Sequence, residues 1–475
     1  MIVDEPREVT MTAHKSHFPK IWSIVLGVLF LVFHPDRAVG DEVRWTQSID
    51  VGTKYHEEGK YSQAEKAYLS ALREAERFPE QDPRLSLSLN NLGFLHYDQG
   101  RYDEAEPLYL RALNLRERFL GAQHPDLAST LNNLGELYRA QARHTKAEPF
   151  YLRALAIREK VYGPVHAEVA TVVNNLAALR YEQGNYGQAE LLLKRALSMR
   201  ETLLMQEHPD VARTLNNLAE VYRVQGRYRE AGPIYRRALT VLEKTLGPDH
   251  PDTAAVLNNL GSLCVNQGRY KEAERFCQRA LAVLEKALGA KHPAVATGLN
   301  NLATLHYKQG HYGEAKRLNQ RALAIRESVL GREHPEVASS LNNLAILCRL
   351  EKRYAESEAL YRQALAIWEK VLGPEHPEVA AGLNNLAESC YEQGRYPEAE
   401  SLLQRALAIK EKVFGSDHPD VAETLKAYAQ VLRKMKQKAN AITLEARAKA
   451  IYGRCGLACQ TQQTVDVHAL RPLGK

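Results

Sequence analysis

The sequence predicts an all-α solenoid of antiparallel helix pairs, and three observations carry that prediction. Paired asparagines recur at Asn90-Asn91, Asn132-Asn133, Asn174-Asn175, Asn216-Asn217, Asn258-Asn259, Asn300-Asn301, Asn342-Asn343 and Asn384-Asn385, a constant step of 42 residues in one apolar frame. Each step contains a break, which carries glycine at Gln99-Gly100-Arg101-Tyr102, Gln225-Gly226-Arg227-Tyr228 and Gln393-Gly394-Arg395-Tyr396. Apolar residues around the break follow helical spacing, as Ala105, Tyr109 and Ala112 do after it. A fixed period of this size builds a stack in which each unit buries its apolar face only against its neighbours.

The elements follow in order. Residues 21–33 form an apolar run preceded by Lys15 and Lys20 and followed by Ala38-Val39-Gly40, the three parts of a secretory signal peptide. The run covers roughly 20 Å as a helix, short of a bilayer core of about 30 Å. A leader over residues 1–40, cleaved after Gly40 to leave Asp41, is therefore expected, with an exported, periplasmic or secreted product and no stable membrane span; Met11 is an alternative start. Residues 41–81 read as a divergent N-terminal capping repeat, with Gly59-Lys60-Tyr61 as its turn.

Eight units of about 42 residues fill residues 82–418. Their first helices and that of the next pair open at His124-Pro125, His208-Pro209, His250-Pro251, His292-Pro293, His334-Pro335, His376-Pro377 and His418-Pro419. Proline suits the first helical position, and Asp126, Asp210 or Glu336 after it favours the helix dipole. The second helices end at glycines such as Gly121, Gly247 and Gly373, which fit a left-handed cap. Ala167 after His166, Met205 at a capping glycine, and Ala142 and Lys352 at turn glycines are local departures. Residues 419–453 read as a C-terminal capping helix pair, because Leu425-Lys426-Ala427-Tyr428 stands where asparagines stood, and residues 454–475 as an irregular tail.

Composition narrows the function. A net charge of +6 over 475 residues, with signs interleaved, argues against a nucleic-acid binder. Cys264, Cys348 and Cys390 share a position held elsewhere by Tyr138, Tyr222 or His306, and Cys277 stands where Tyr151 and Tyr235 stand, so these four read as core thiols. Cys455 and Cys459 lie in the tail and are a candidate disulfide in an oxidising compartment. No metal-ligand spacing, phosphate loop or nucleophile elbow occurs, and no cofactor is implied. Candidate side chains recur once per unit and do not converge on one point, which argues against an enzyme.

At Leu131-x-x-Leu134-Gly135-x-x-Tyr138 with Ala147-x-x-x-Tyr151 the chain resembles the tetratricopeptide repeat. The longer period, with Leu215-Asn216-Asn217-Leu218-Ala219 and Ala322-Leu323-Ala324-Ile325-Arg326-Glu327, looks like the kinesin light chain type of that repeat over roughly residues 84–437. The resemblance implies a right-handed superhelical solenoid and a non-catalytic scaffold or adaptor whose concave groove holds a protein or peptide partner. Motor attachment is not implied, because the heptads of kinesin light chains are missing, and the leader points to a bacterial source.

On a helical wheel at about 100° per residue the leucines, the small residue and the aromatic of the first helix share one side. Both asparagines, the residue four after the first and the residue seven after it share the other. That second arc should face the groove. The asparagines admit two readings, a structural ladder between repeats or amides that hold a peptide backbone. By resemblance, the ligand-contacting candidates are Asn133, Asn175, Asn217, Asn259, Asn301 and Asn343.

Seven residues beyond the first asparagine the chain reads Tyr97, Arg139, Tyr181, Arg223, Val265, Tyr307, Arg349 and Tyr391. Arginine forks match carboxylates and tyrosine gives stiff contact area, so the expected ligand segment is acidic with apolar or aromatic anchors. Glu136, Glu220 and Glu388 lie in the same arc and neutralise part of that charge. The alternative is a self-assembling or architectural envelope protein. A simple scaffold should stay monomeric as concentration rises, and a self-assembler should not.

Overall fold

The computed structural model of the protein describes residues 35–455. Among them are twenty α-helices and no strand. They alternate as first and second members of ten pairs: α1 (Pro35–Glu57) with α2 (Tyr61–Ala75), α3 (Pro83–Asp98) with α4 (Tyr102–Leu120), α5 (Pro125–Ala140) with α6 (His144–Tyr162), α7 (Ala167–Glu182) with α8 (Tyr186–Leu204), α9 (Pro209–Val224) with α10 (Tyr228–Thr245), α11 (Pro251–Asn266) with α12 (Tyr270–Leu288), α13 (Pro293–Lys308) with α14 (Tyr312–Leu330), α15 (Pro335–Leu350) with α16 (Tyr354–Val371), α17 (Pro377–Glu392) with α18 (Tyr396–Phe414), and α19 (Pro419–Lys434) with α20 (Lys438–Cys455). Two compact units divide between Asn133 and Leu134, inside α5. Helix α1 runs through the expected cleavage point at Gly40, while the apolar run of residues 21–33 and Cys459, hence the Cys455–Cys459 pairing, lie outside the described residues.

The His-Pro step is an active cap. His208 has extended backbone, φ −85° and ψ 142°, and its Nδ1 accepts the Asp210 N–H at 3.1 Å, one of the donors a helix start leaves unpaired. His250, His292, His334, His376 and His418 do the same, and so does His166 although alanine follows it. An accepting Nδ1 must be unprotonated. Burial holds the His292 pKa down at about 4 and lowers that of His418 as well, so both rings favour the neutral form.

Within a pair, alanines of the second helix close against the first. Ala147, Ala189, Ala231 and Ala273 are fully buried, as are Ala154, Ala196, Ala238 and Ala280 two turns on. Gly135 marks a close approach: a Cβ there would lie 2.7 Å from Cε1 of Tyr151. Cys264, Cys277, Cys348 and Cys390 are buried free thiols inside this core. Ala142 and Met205, in place of glycine, hold φ of 51° and 67°, a region that costs a side-chain-bearing residue about 1–2 kcal/mol.

Buried cations tie several of the second helices to the next pair. Arg116, Arg158 and Arg200 donate to the carbonyls of Asp126, Glu168 and Asp210 at 2.6, 2.8 and 3.0 Å. Within the unit that begins at Leu134, the turn at Gly184 lies against the ring of His418, so α7 and the start of α19 meet across several intervening pairs.

Candidate protein-interaction face

Successive first helices touch along the stack, α9 with α11 with α13 and α15 with α17 with α19, and their shared face carries the asparagine pairs. That face is built from hydrogen bonds 43 residues apart. The second asparagine of one pair donates through Nδ2 to Oδ1 of the first asparagine in the preceding repeat: Asn133 to Asn90 at 3.0 Å, Asn217 to Asn174 at 3.2 Å, Asn259 to Asn216 at 2.9 Å, Asn343 to Asn300 at 2.6 Å and Asn385 to Asn342 at 2.9 Å. Asparagine is a poor mid-helix residue, and a bond of this kind inside a packed face offsets that weakness. Asn175 is buried, and so is Asn301, whose Oδ1 has no partner, as has that of Asn258. Of the amides expected to meet a ligand, Asn133, Asn217, Asn259 and Asn343 therefore give one N–H to the neighbouring repeat.

The arginines are engaged as well, and by Glu182 and Glu392 in addition to the glutamates expected in the same arc. Arg139 is buried between Glu136 of its own helix, at 2.8 Å, and Glu182 of the next first helix, while Tyr151 donates its hydroxyl to Glu136. Arg223 grips Glu220, with Nε at 2.8 Å from Oε2, and Glu220 also accepts from Tyr235 at 2.6 Å and from Tyr181 at 3.3 Å. Arg349, only 2% exposed, bridges Glu388 at 3.2 Å and Glu392. Burial opposes the charge of Arg223 and Arg349, and the carboxylates more than offset it, so both pKa values lie above the ordinary arginine range. Carboxylates at least equal the arginines in each cluster, so this face has no net positive charge to draw an acidic segment.

The tyrosines keep contact area. Tyr181, Tyr307 and Tyr391 are half-buried, and each ring lies 5.6 Å from the tyrosine that opens its own second helix, Tyr186, Tyr312 and Tyr396. Burial pushes the Tyr307 hydroxyl pKa far up, so the ring presents a neutral edge. Ala178, Ser262 and Thr304, one turn earlier in their helices, are half-buried beside this row.

Sequence reasoning named Glu136, Glu220 and Glu388 in this arc but missed Glu182 and Glu392, one repeat beyond Arg139 and Arg349, and the hydroxyls of Tyr151 and Tyr235. A signal existed. Forty-three residues beyond Arg139, Arg223 and Arg349 stand Glu182, Asn266 and Glu392, whereas the same step from Tyr181 and Tyr307 reaches Val224 and Leu350. With its amide turned to satisfy both ends, Asn266 accepts from Arg223 Nη1 at 2.7 Å. No group of metal-binding side chains occurs among the described residues, and no helix among them is long and apolar enough to cross a membrane.

The tetratricopeptide repeat matches residues 84–160, 126–202, 210–274, 255–328, 312–367, 336–412 and 378–454, most of the described chain. The chain is similar to nearly identical kinesin light chain TPR-like repeats from Podosopora anserina, with 27% identity over 44% of this chain and 99% of that one at a TM-score of 0.37. It is also similar to BtubC (BKLC) from P. vanneervenii, with 25% identity over 52% of this chain and 91% of that one at a TM-score of 0.38. A Rap protein complexed with Competence and Sporulation Factor aligns over 89% of this chain and 99% of its own at a TM-score of 0.50 and 13% identity, a likeness of fold alone. No curated protein matches the chain. Repeated matches across successive helix pairs, in the register set by the asparagines, place the chain in the tetratricopeptide repeat family.

Proposed function

We propose that the chain is a non-catalytic scaffold that binds an extended protein segment along the shared face of its first helices. The observation that carries this reading is a wall whose asparagines largely bond one another and whose arginines are held by glutamates, beside a row of half-buried tyrosines. Such a wall is preorganised, so a ligand would not have to order it. Tyr181, Tyr307 and Tyr391, three and two repeats apart, would receive apolar or aromatic anchors, and amide N–H groups would meet the segment's backbone. Apolar anchors keep their support. The acidic preference loses its basis, because Arg139, Arg223 and Arg349 are each held by glutamate. The basic, apolar and small-residue order of residues 15–40 supports an exported site of action.

The test is photo-crosslinking in the source cells, with a photoreactive side chain at Tyr307 or Tyr391 and, as comparison, at Lys412 on the outer edge. Adducts with one protein from the two tyrosine positions, and none from Lys412, are expected. Adducts from Lys412 alone would remove the binding face from the first helices.

A further inference from the structure

The two capping pairs differ in a way that solubility alone does not require. Residues 41–81 hold nine acidic against six basic side chains, and residues 419–453 hold seven basic against three acidic. Opposite charge sits on the opposite terminal pairs.

The side chains on the faces that lack a neighbouring pair sharpen this. On α1, Val43 and Val51 are 49% and 45% exposed, two turns apart on one outward stripe, with Glu42, Asp50 and Glu57 exposed beside them. At the other end, Lys449 stands where eight earlier second helices carry Leu113, Leu155, Leu197, Leu239, Leu281, Leu323, Leu365 and Leu407. Inside the stack that leucine packs on the next first helix, as Leu365 does below Gly382 and Leu281 below Gly298. Lys426 replaces the first asparagine, and its Nζ lies 5.6 Å from the centre of the Tyr452 ring. A cavity of about 650 Å³ opens there, lined by Tyr452, Ala448, Gly453 and Gln430 with Lys426, Lys449 and Glu445. Its floor is aromatic and its rim carries two cations. A plain solvated cap would have neither a concave apolar floor nor a counterpart of opposite charge at the other end.

We propose that the occupant of this end face is α1 of a second copy, taking the place of the next first helix. Val43 and Val51 of the incoming helix meet the Tyr452 and Ala448 floor, and Asp50 and Glu57 face Lys449 and Lys426. The two surfaces are different patches of one chain, so the contact is head-to-tail and repeats from copy to copy. The inference is independent of the tyrosine face, and variants of Tyr307 and Tyr391 leave it unchanged.

The experiment is sedimentation velocity of the full chain over a range of concentrations at low and high salt. Mass should grow with concentration and shrink as salt screens the end charges. Lys426→Glu with Lys449→Glu, and separately Asp50→Lys with Glu57→Lys, should each weaken association at least about tenfold. Mixing the two reversed chains should restore it, since each then meets a complementary end. Unchanged thermal melts of both variants show that the fold is intact. A monomer at every concentration overturns the proposal, and if removal of residues 456–475 then allows association, the chain's own tail is the occupant instead. Growth that survives either reversal also overturns it.

Discussion

Two sets of polar contacts join one repeat to the next, and they differ in depth. Between first helices, Asn343 donates to buried Asn300, and Arg349, itself buried, bridges to Glu388 and Glu392, whose side chains are 32% and 33% exposed. Between second helices and the loops before them, Arg405 pairs with Glu369 at 2.6 Å and Lys412 reaches Glu375, with Lys412 60% exposed. Both sets repeat along the stack. Water competes freely for the outer set and reaches the inner ion pairs only from the carboxylate side, so identical Coulomb geometry carries different weight. The lesson is that the row of hydrogen bonds hidden from solvent, and not the more numerous visible ion pairs, holds the register of the repeats.

The sharpest way to break this comparison is Arg349→Met. The substitution fills the space but leaves Glu388 and Glu392 facing each other without their cation. A loss of about 2–4 kcal/mol in urea unfolding is expected. A loss no larger than that of an outer-edge variant would erase the distinction between the two rows.

A half-buried helix cap should show the same sensitivity to its surroundings. His292 has a folded pKa of about 4, below the roughly 6.5 of an unfolded histidine. Its contribution is therefore complete above pH ~6.5 and is lost as pH falls toward 4, by at most about 3 kcal/mol. His292→Asn caps without titrating in this range, so the fall in melting temperature between pH 7 and pH 4 should narrow. An unchanged acid profile would show that this cap carries no such linkage.

The asparagine row offers an internal control. Asn343→Ala strips the donor from buried Oδ1 of Asn300 and should cost about 1–2 kcal/mol. Asn301→Ala falls at the step where Asn258 and Asn301 leave their carbonyl oxygens unpartnered, and should cost less than half of that. Equal losses would mean that packing, not hydrogen bonding, sets the value of these residues. Last, Lys412→Ala should change stability by no more than about 0.5 kcal/mol, and any change should fade in high salt.

Much of the fold was legible because its determinants are local. Proline after histidine, glycine in the turn and small residues opposite Tyr109 and Tyr151 each act within one unit, so the 42-residue step exposes them. The candidate face was legible as a surface but not as a network. Its bonds run from one position of a repeat to a different position of the next, 43 residues on, and aligning the repeats column by column hides that offset. Arg349 reads as a free cation until Glu392 is set beside it. The unmade step at Asn258 and Asn301 is spelled like its neighbours, so only geometry reveals it.

The asparagine row has a direction: in each of its amide-to-amide bonds the second member of a pair gives and the first member of the preceding pair receives, and at the end of the row the first member Asn384 turns donor, to Thr424 of the last pair at 2.9 Å. Every unit thus has a giving edge and a receiving edge that fit any other unit. Duplication or loss of one unit in the gene rejoins compatible edges wherever that bond is made, which leaves out the step at Asn258 and Asn301, whose carbonyl oxygens already lack a partner. The arginine bridges do not share this freedom. Excision of residues 342–383 would remove Arg349 and leave Glu388 and Glu392 behind, so those bridges fix the order of units that the asparagines alone would allow to be shuffled.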